Sequence, residues 1–223
     1  MKSIWKADFT YFPSAENKAR FGDYFSISIW TEWSQSPSFS CCNFKSMIFT
    51  TILFALLWQG QPQFIKAPIH RLRPRAFRQL PTTIVESLEA RKCLIPQYPY
   101  VKTPHNVIGG SFTGALRNEW AVLCSRRGTS SILVFQSDSA KLVAEVAPAK
   151  DDTYLQGDEQ GKLYFSRIID AVGKDYILKH YEAYGGPKPP PIRHHGINDG
   201  FAEKASTVRY FYRGKWLELQ GAD

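Results

Sequence analysis

The one place in this sequence where acid–base or metal-ligating residue types crowd together is His194-His195, followed by Asp199 and Glu203. Two imidazoles and two carboxylates at this spacing are what a metal-dependent or hydrolase-like enzyme would draw on. Adjacent histidines on extended backbone point to opposite sides, so a single ion cannot readily take both. Asp199 and Glu203 are four apart, so a helical turn over 199–204 would put both carboxylates on one face, with one histidine nearby. A plainer reading of the same residues has Asp199 capping a short helix and a histidine packed beneath the Pro-rich connector, and it is preferred. These four residues remain the candidate catalytic set.

Other combinations carry less. His105-Asn106 precedes the first strand and Ser111 follows Gly109-Gly110, but a serine and a histidine do not make a triad by spacing alone. The chain contains no G-x-S-x-G, no Walker loop, no G-x-G-x-x-G and no H-E-x-x-H. Neither a metal nor a cofactor is expected. Tyr210, Phe211, Tyr212 and Trp216 would form an aromatic surface only if they shared a face. Strand alternation instead sends about half of them to the core.

The elements that must position these residues are short and mostly extended. Asn106 to Phe135 reads as three apolar runs, Val107–Phe112, Trp120–Ser125 and Ser131–Phe135, separated by polar, Gly-containing turns. Leu142–Val146 alternates with Lys141, AKDDT is a polar turn, and Lys162–Ile169 is a further strand. Tyr176, Ile177, His180, Tyr181 and Tyr184 keep helical spacing ahead of Gly185-Gly186, which predicts a helix over 172–184. GGPKPPPIRHHG is a stiff connector, and 207–220 is a hairpin turning at Arg213-Gly214-Lys215. PTTIVESLEARKC is a second short helix, with Thr83 and Glu86 spaced as a capping box. The expected class is α+β, mainly an antiparallel β meander with two short helices. One such domain would occupy residues 82–223.

Upstream the composition changes. Ile48 to Trp58 is an apolar run of eleven residues after Lys45, the length of a signal-peptide core and short of the roughly 20 needed to span a bilayer. Residues 47–67 therefore read as a leader, with Met47 as a second candidate start and residues 1–46 as an upstream extension. A buried core helix of the same length is the alternative. The formal net charge is +8, and Lys66, Arg71, Arg73, Arg75 and Arg78 lie in a window with no acid. The segment 68–81 reads as a basic, Pro-rich linker. A solvated tether explains its charge better than nucleic-acid contact through 66–78, so no specific nucleic acid is expected. The only membrane contact expected is through the leader.

Four cysteines occur, and only Cys93 and Cys124 would survive removal of the leader. In an exported protein such a pair reads as a disulfide; in the cytoplasm it would be two buried thiols. Zinc is not indicated, since no C-x-x-C exists and neither of these two cysteines has a histidine near it in sequence.

Two resemblances bear on this. Gly110-Ser111-Phe112 and Glu119-Trp120-Ala121-Val122-Leu123 resemble the strand–turn–strand unit of FG-GAP/VCBS-type β-propeller repeats. In those repeats an acidic turn often binds calcium, but residues 113–118 lack the acidic ligands, so the resemblance does not extend to a calcium site. CLIPQ at 93–97, PHNVIGGSF at 104–112, EWAVLCS at 119–125 and the ending KWLELQGAD resemble a group of exported bacterial proteins without an assigned activity. That resemblance implies a periplasmic or secreted setting and transfers no functional residue. The expected role is binding or structural, with the His194/His195/Asp199/Glu203 enzyme as one alternative and a cytoplasmic protein contacting nucleic acid through 66–78 as another.

Overall fold

The computed structural model describes residues 64–223. The upstream extension and the apolar run proposed for a leader lie outside them. Among the described residues no helix is long and apolar enough to cross a membrane.

The described chain begins with two short strands, β1 (Ile65–Lys66) and β2 (Arg71–Leu72), a 3-10 turn at Pro74–Ala76, the helix α1 (Thr82–Ala90) and β3 (Ile95–Pro96). It then lays down an antiparallel meander of β4 (Val107–Gly110), β5 (Glu119–Arg126), β6 (Thr129–Gln136) and β7 (Leu142–Lys150). Successive side chains of a strand face opposite sides of its sheet. Val122, Cys124, Leu133 and Phe135 therefore meet α1 and the 3-10 turn on one side. Ala121, Leu123, Ile132 and Val134 meet Phe112, Phe165, Ile169 and Ile197 on the other. Both faces are covered, which is why β5 and β6 read as continuous apolar runs instead of alternating ones.

Beyond this sheet come β8 (Leu155–Gly157) and β9 (Lys162–Phe165), which pair with each other, β1 lying parallel to β9. A second antiparallel meander follows: β10 (Arg167–Val172), β11 (Gly196–Phe201), β12 (Ala205–Tyr212) and β13 (Lys215–Gln220). Between β10 and β11 runs α2 (Lys174–Tyr184), which buries Ile177 against Val172, Val208, Tyr210 and Leu219. Arg213 and Gly214 both take positive φ, 48° and 83°, the backbone a two-residue hairpin turn requires. The architecture is α+β and dominated by antiparallel strands, as expected.

Four local expectations are corrected. Residues 68–81 are not a tether: β2 pairs with β3, and Phe77 and Leu80 are buried in the α1 core. The domain thus reaches upstream of residue 82, because Pro74, Phe77 and Leu80, set among the arginines, are buried. The strand expected over 162–169 is two strands in different sheets. It breaks at buried Ser166, whose N–H and Oγ both donate to the Tyr154 carbonyl at 2.9 and 2.8 Å. Residues 199–204 form no helical turn, since Asp199 lies in β11, paired on both sides by β10 and β12. No capping box closes α1, whose N-cap is Pro81 without a side-chain cap hydrogen bond.

Cys93 and Cys124 lie at disulfide distance, their Cα atoms 5.4 Å apart, joining the end of α1 to β5. Asn106 ties the two meanders together. Its side-chain amide donates to the carbonyls of Pro96 (2.7 Å) and Arg167 (3.2 Å), and its Oδ1 accepts from the Ile169 N–H (3.0 Å). Its φ of 69° is a left-handed conformation that asparagine tolerates better than branched residues. Asn106→Val is expected to cost about 3 kcal/mol or more, because it orphans buried backbone groups and strains φ together. A urea titration should show the midpoint falling at unchanged slope.

Candidate functional site

The structure separates the four candidate catalytic residues. His194 stacks on Tyr210, ring centroids 4.4 Å apart, and its two ring nitrogens face the carbonyl oxygens of His195 (3.0 Å) and Phe211 (2.9 Å). His195 Nδ1 accepts the Ser111 N–H at 3.2 Å, and the His195 N–H donates to the Ser111 carbonyl at 2.9 Å. The two histidines therefore fasten the Pro-rich connector to β12 and to the β4–β5 loop. They line one open cleft with Ser111, Lys174 and Arg193. The two carboxylates are elsewhere. Asp199 is buried against Arg167, and Glu203 accepts the Tyr98 hydroxyl at 3.1 Å from a turn of positive φ. Among the described residues no three His, Cys, Asp or Glu side chains are grouped to hold a metal ion.

The other sequence candidates also serve the fold. Tyr210 is fully buried under α2, while Phe211 and Trp216 pair across the hairpin on the opposite face, centroids 5.5 Å apart. Alternation divides that aromatic group as expected. The contacts between Ser111 and His195 are backbone–backbone and backbone–ring, so they are not the geometry of an activated hydroxyl.

Three buried charged groups were given no role by the sequence. Arg167 has no exposed surface, and its Nε and Nη2 donate to the two oxygens of Asp199 at 2.8 and 2.9 Å. Its remaining donors reach the Ser130 carbonyl and Oγ and the Ala147 carbonyl, and its guanidinium lies over the Tyr154 ring. All five N–H groups are satisfied. Glu119 accepts from the N–H groups of Phe112 (2.7 Å) and Thr113 (2.8 Å) and from the Thr113 hydroxyl, closing the β4–β5 loop. Asp151 takes Arg71 and the Ser125 hydroxyl, both at 2.6 Å. Lys66 and Arg75 likewise pair with Asp152 and Glu89. Much of the charge in the basic segment is thus engaged by carboxylates.

A further cleft, of about 290 Å3, lies between the 67–70 segment and the 97–100 loop, floored by β9. Tyr100, 59% exposed, stands edge-on to Tyr164, centroids 5.0 Å apart at 79°. Pro68, Ile69 and Pro99 extend the apolar wall, and His70, Asp158 and Lys162 supply polar groups. Tyr98 packs behind both rings. Burial, then the charge of Glu203 and the hydrogen bond to it, push the Tyr98 hydroxyl far above its ordinary range, so it stays a donor. Burial likewise raises the Tyr164 hydroxyl.

The loop carrying Tyr98 and Tyr100 is stapled at both ends. Gln97 Nε2 donates to the His105 carbonyl at 3.0 Å, and Gln97 Oε1 accepts the His105 N–H at 3.0 Å. His105 Nε2 accepts the Tyr98 N–H at 2.7 Å, which assigns the ring proton to Nδ1, facing the Thr103 carbonyl at 3.0 Å. That contact needs the neutral ring. Burial pushes the His105 imidazole below its ordinary value of 6.5, opposed by the Thr103 carbonyl and the Asp170 charge. A depressed folded value means that protons bind the unfolded chain better. The stabilisation is therefore complete above about pH 6.5 and is lost as pH falls below it towards the folded value. Melting temperature is expected to drop between about pH 7.5 and pH 5.5, and His105→Gln should flatten part of that slope.

Comparison of the chain with protein-family models, with curated proteins and with solved structures returns no match.

Proposed function

We propose that this chain is an exported, ligand-binding domain and not an enzyme, and that the cleft walled by Tyr100 and Tyr164 is its site. The observation that carries the reading is the exposure of Tyr100 in a pocket that is apolar on its walls and polar at few points, the usual composition of a ligand site. A large aromatic ring left in water at the mouth of such a pocket contributes most when a ligand covers it. The buried carboxylates Asp199, Glu119 and Asp151 are all engaged by arginine, backbone or hydroxyl partners, which suits a structural role. The extracytoplasmic setting is supported by the cysteine pair at disulfide distance and by the resemblance to exported bacterial proteins.

A fragment screen on the full chain, read by 1H–15N chemical shifts, tests the site. Small ring compounds are expected to shift Tyr100, Asp158 and Tyr164 together. Shifts confined to the His194–His195 cleft would move the site there and revive the enzyme reading.

A further inference from the structure

Resting on the tyrosine cleft as the binding site, we propose that its ligand is a neutral pyranose saccharide. One sugar ring lies against Tyr100, and a pair of neighbouring hydroxyls bridges Asp158 and Lys162. Asp158 and Lys162 stand at the two ends of the β8–β9 turn and line the same cleft, one anion and one cation, so the site asks for no net charge. Asp158 is also fixed in place. Its Oδ1 accepts the N–H groups of Gln160 (3.1 Å) and Lys162 (2.8 Å), which leaves the other oxygen without a protein donor among the described residues. A carboxylate oxygen can only accept and an ammonium can only donate. A vicinal diol satisfies both at once, because each hydroxyl donates and accepts.

The walls then select among neutral ligands. Tyr100 and Tyr164 meet nearly at right angles and form an apolar corner, continued by Pro68 and Pro99. A saturated sugar ring presents a C–H face to such a corner and keeps its hydroxyls at the rim. A flat aromatic ligand would cover the tyrosine and leave the two charges unpaired. A free amino acid would pair the charges and leave the corner open. The cavity of about 290 Å3 lies near the lower end of the usual 300–1,000 Å3, which suits one ring seated in the cleft and a second outside it.

The test is titration of the full chain with methyl glucoside, cellobiose, maltose and chitobiose, read by 1H–15N shifts and calorimetry. Saturable binding is expected for at least one of them, with a dissociation constant on the order of 1 mM. Tyr100→Ala should weaken it at least about tenfold, Tyr100→Trp should retain it, and Asp158→Asn should weaken it several-fold. All three variants should melt close to the parent, because Tyr100 is exposed and Asn keeps the Oδ1 acceptor of the turn. Sugar binding that is indifferent to Tyr100→Ala would overturn the proposal. Binding of proline or glycylglycine with no sugar bound would overturn the ligand class and leave the cleft as the site. If neither sugars nor fragments shift the cleft, both readings fail.

Discussion

Arg167→Ala is expected to cost about 3–5 kcal/mol, a large fraction of the 5–15 kcal/mol that holds an ordinary domain folded. The loss comes less from the pair than from what remains after it. Asp199 is left buried with only Arg209 as a cationic partner, at 3.4 Å, and the Ser130 and Ala147 carbonyls lose their donors. Those carbonyls belong to β6 and β7 and Asp199 to β11, so the guanidinium is the polar joint between the two meanders. Removing the charge from both ends should cost much less. Arg167→Met combined with Asp199→Leu is expected to recover most of the stability, as replacing a buried ion pair by apolar residues of similar size often does. Urea unfolding of Arg167→Ala and of the double variant measures this. Equal losses in Arg167→Ala and the double variant would show that packing and the carbonyl bonds dominate, not the orphaned charge.

The second large effect is expected at the cysteines. Cys93 and Cys124 are 31 residues apart, and closing a loop of that length restricts the unfolded chain by about 3–4 kcal/mol in the chain-entropy account. Cys93→Ala with Cys124→Ala should lower stability by that order, plus a small packing term, since both side chains are buried in the α1 core. The diagnostic comparison is with reductant. Dithiothreitol should destabilise the parent by nearly the same amount and leave the double variant unchanged. A parent insensitive to reductant would mean that the two sulfurs are merely close.

The sequence made some of this legible and hid the rest for identifiable reasons. The runs at 120–125 and 131–135 lie in strands β5 and β6, and the run at 107–112 supplies β4 up to Gly110, because continuous apolar residues between Gly-containing turns have few other places to go. Tyr176, Ile177 and Tyr181 announced α2 through their spacing, and Arg213-Gly214 announced the hairpin through its backbone demand. Asp199 misled, because a carboxylate next to histidines looks like chemistry until its partner is known. That partner, Arg167, is 32 residues away and reached only through the β10–β11 pairing. The break at Ser166 was equally invisible, since KLYFSRII is rich enough in aromatic and β-branched residues for one strand and only the change of sheet ends it.

The tyrosine cleft is a milder case. Tyr98 and Tyr100 sit in the run PQYPY, where Pro99 keeps the strand from continuing and leaves aromatics on a loop, a signal that was available. Tyr164 joins them only because β9 passes beneath that loop, which no local pattern discloses. Glu119 lies between. The resemblance to a repeat unit picked out the acid at the head of β5, but its partners Phe112 and Thr113 appear only once the β4–β5 loop has closed on it.

The proposed extracytoplasmic setting requires Cys93 and Cys124 to be joined. The most direct test is intact-mass spectrometry of the protein from its host, with thiols alkylated under denaturing conditions before and after reduction. The expected result is a chain that begins after the apolar run at 48–58, with no alkylation until reduction and a mass then larger by two alkyl groups. A chain that retains that run, with Cys93 and Cys124 alkylated without any reductant, would contradict both the export and the disulfide.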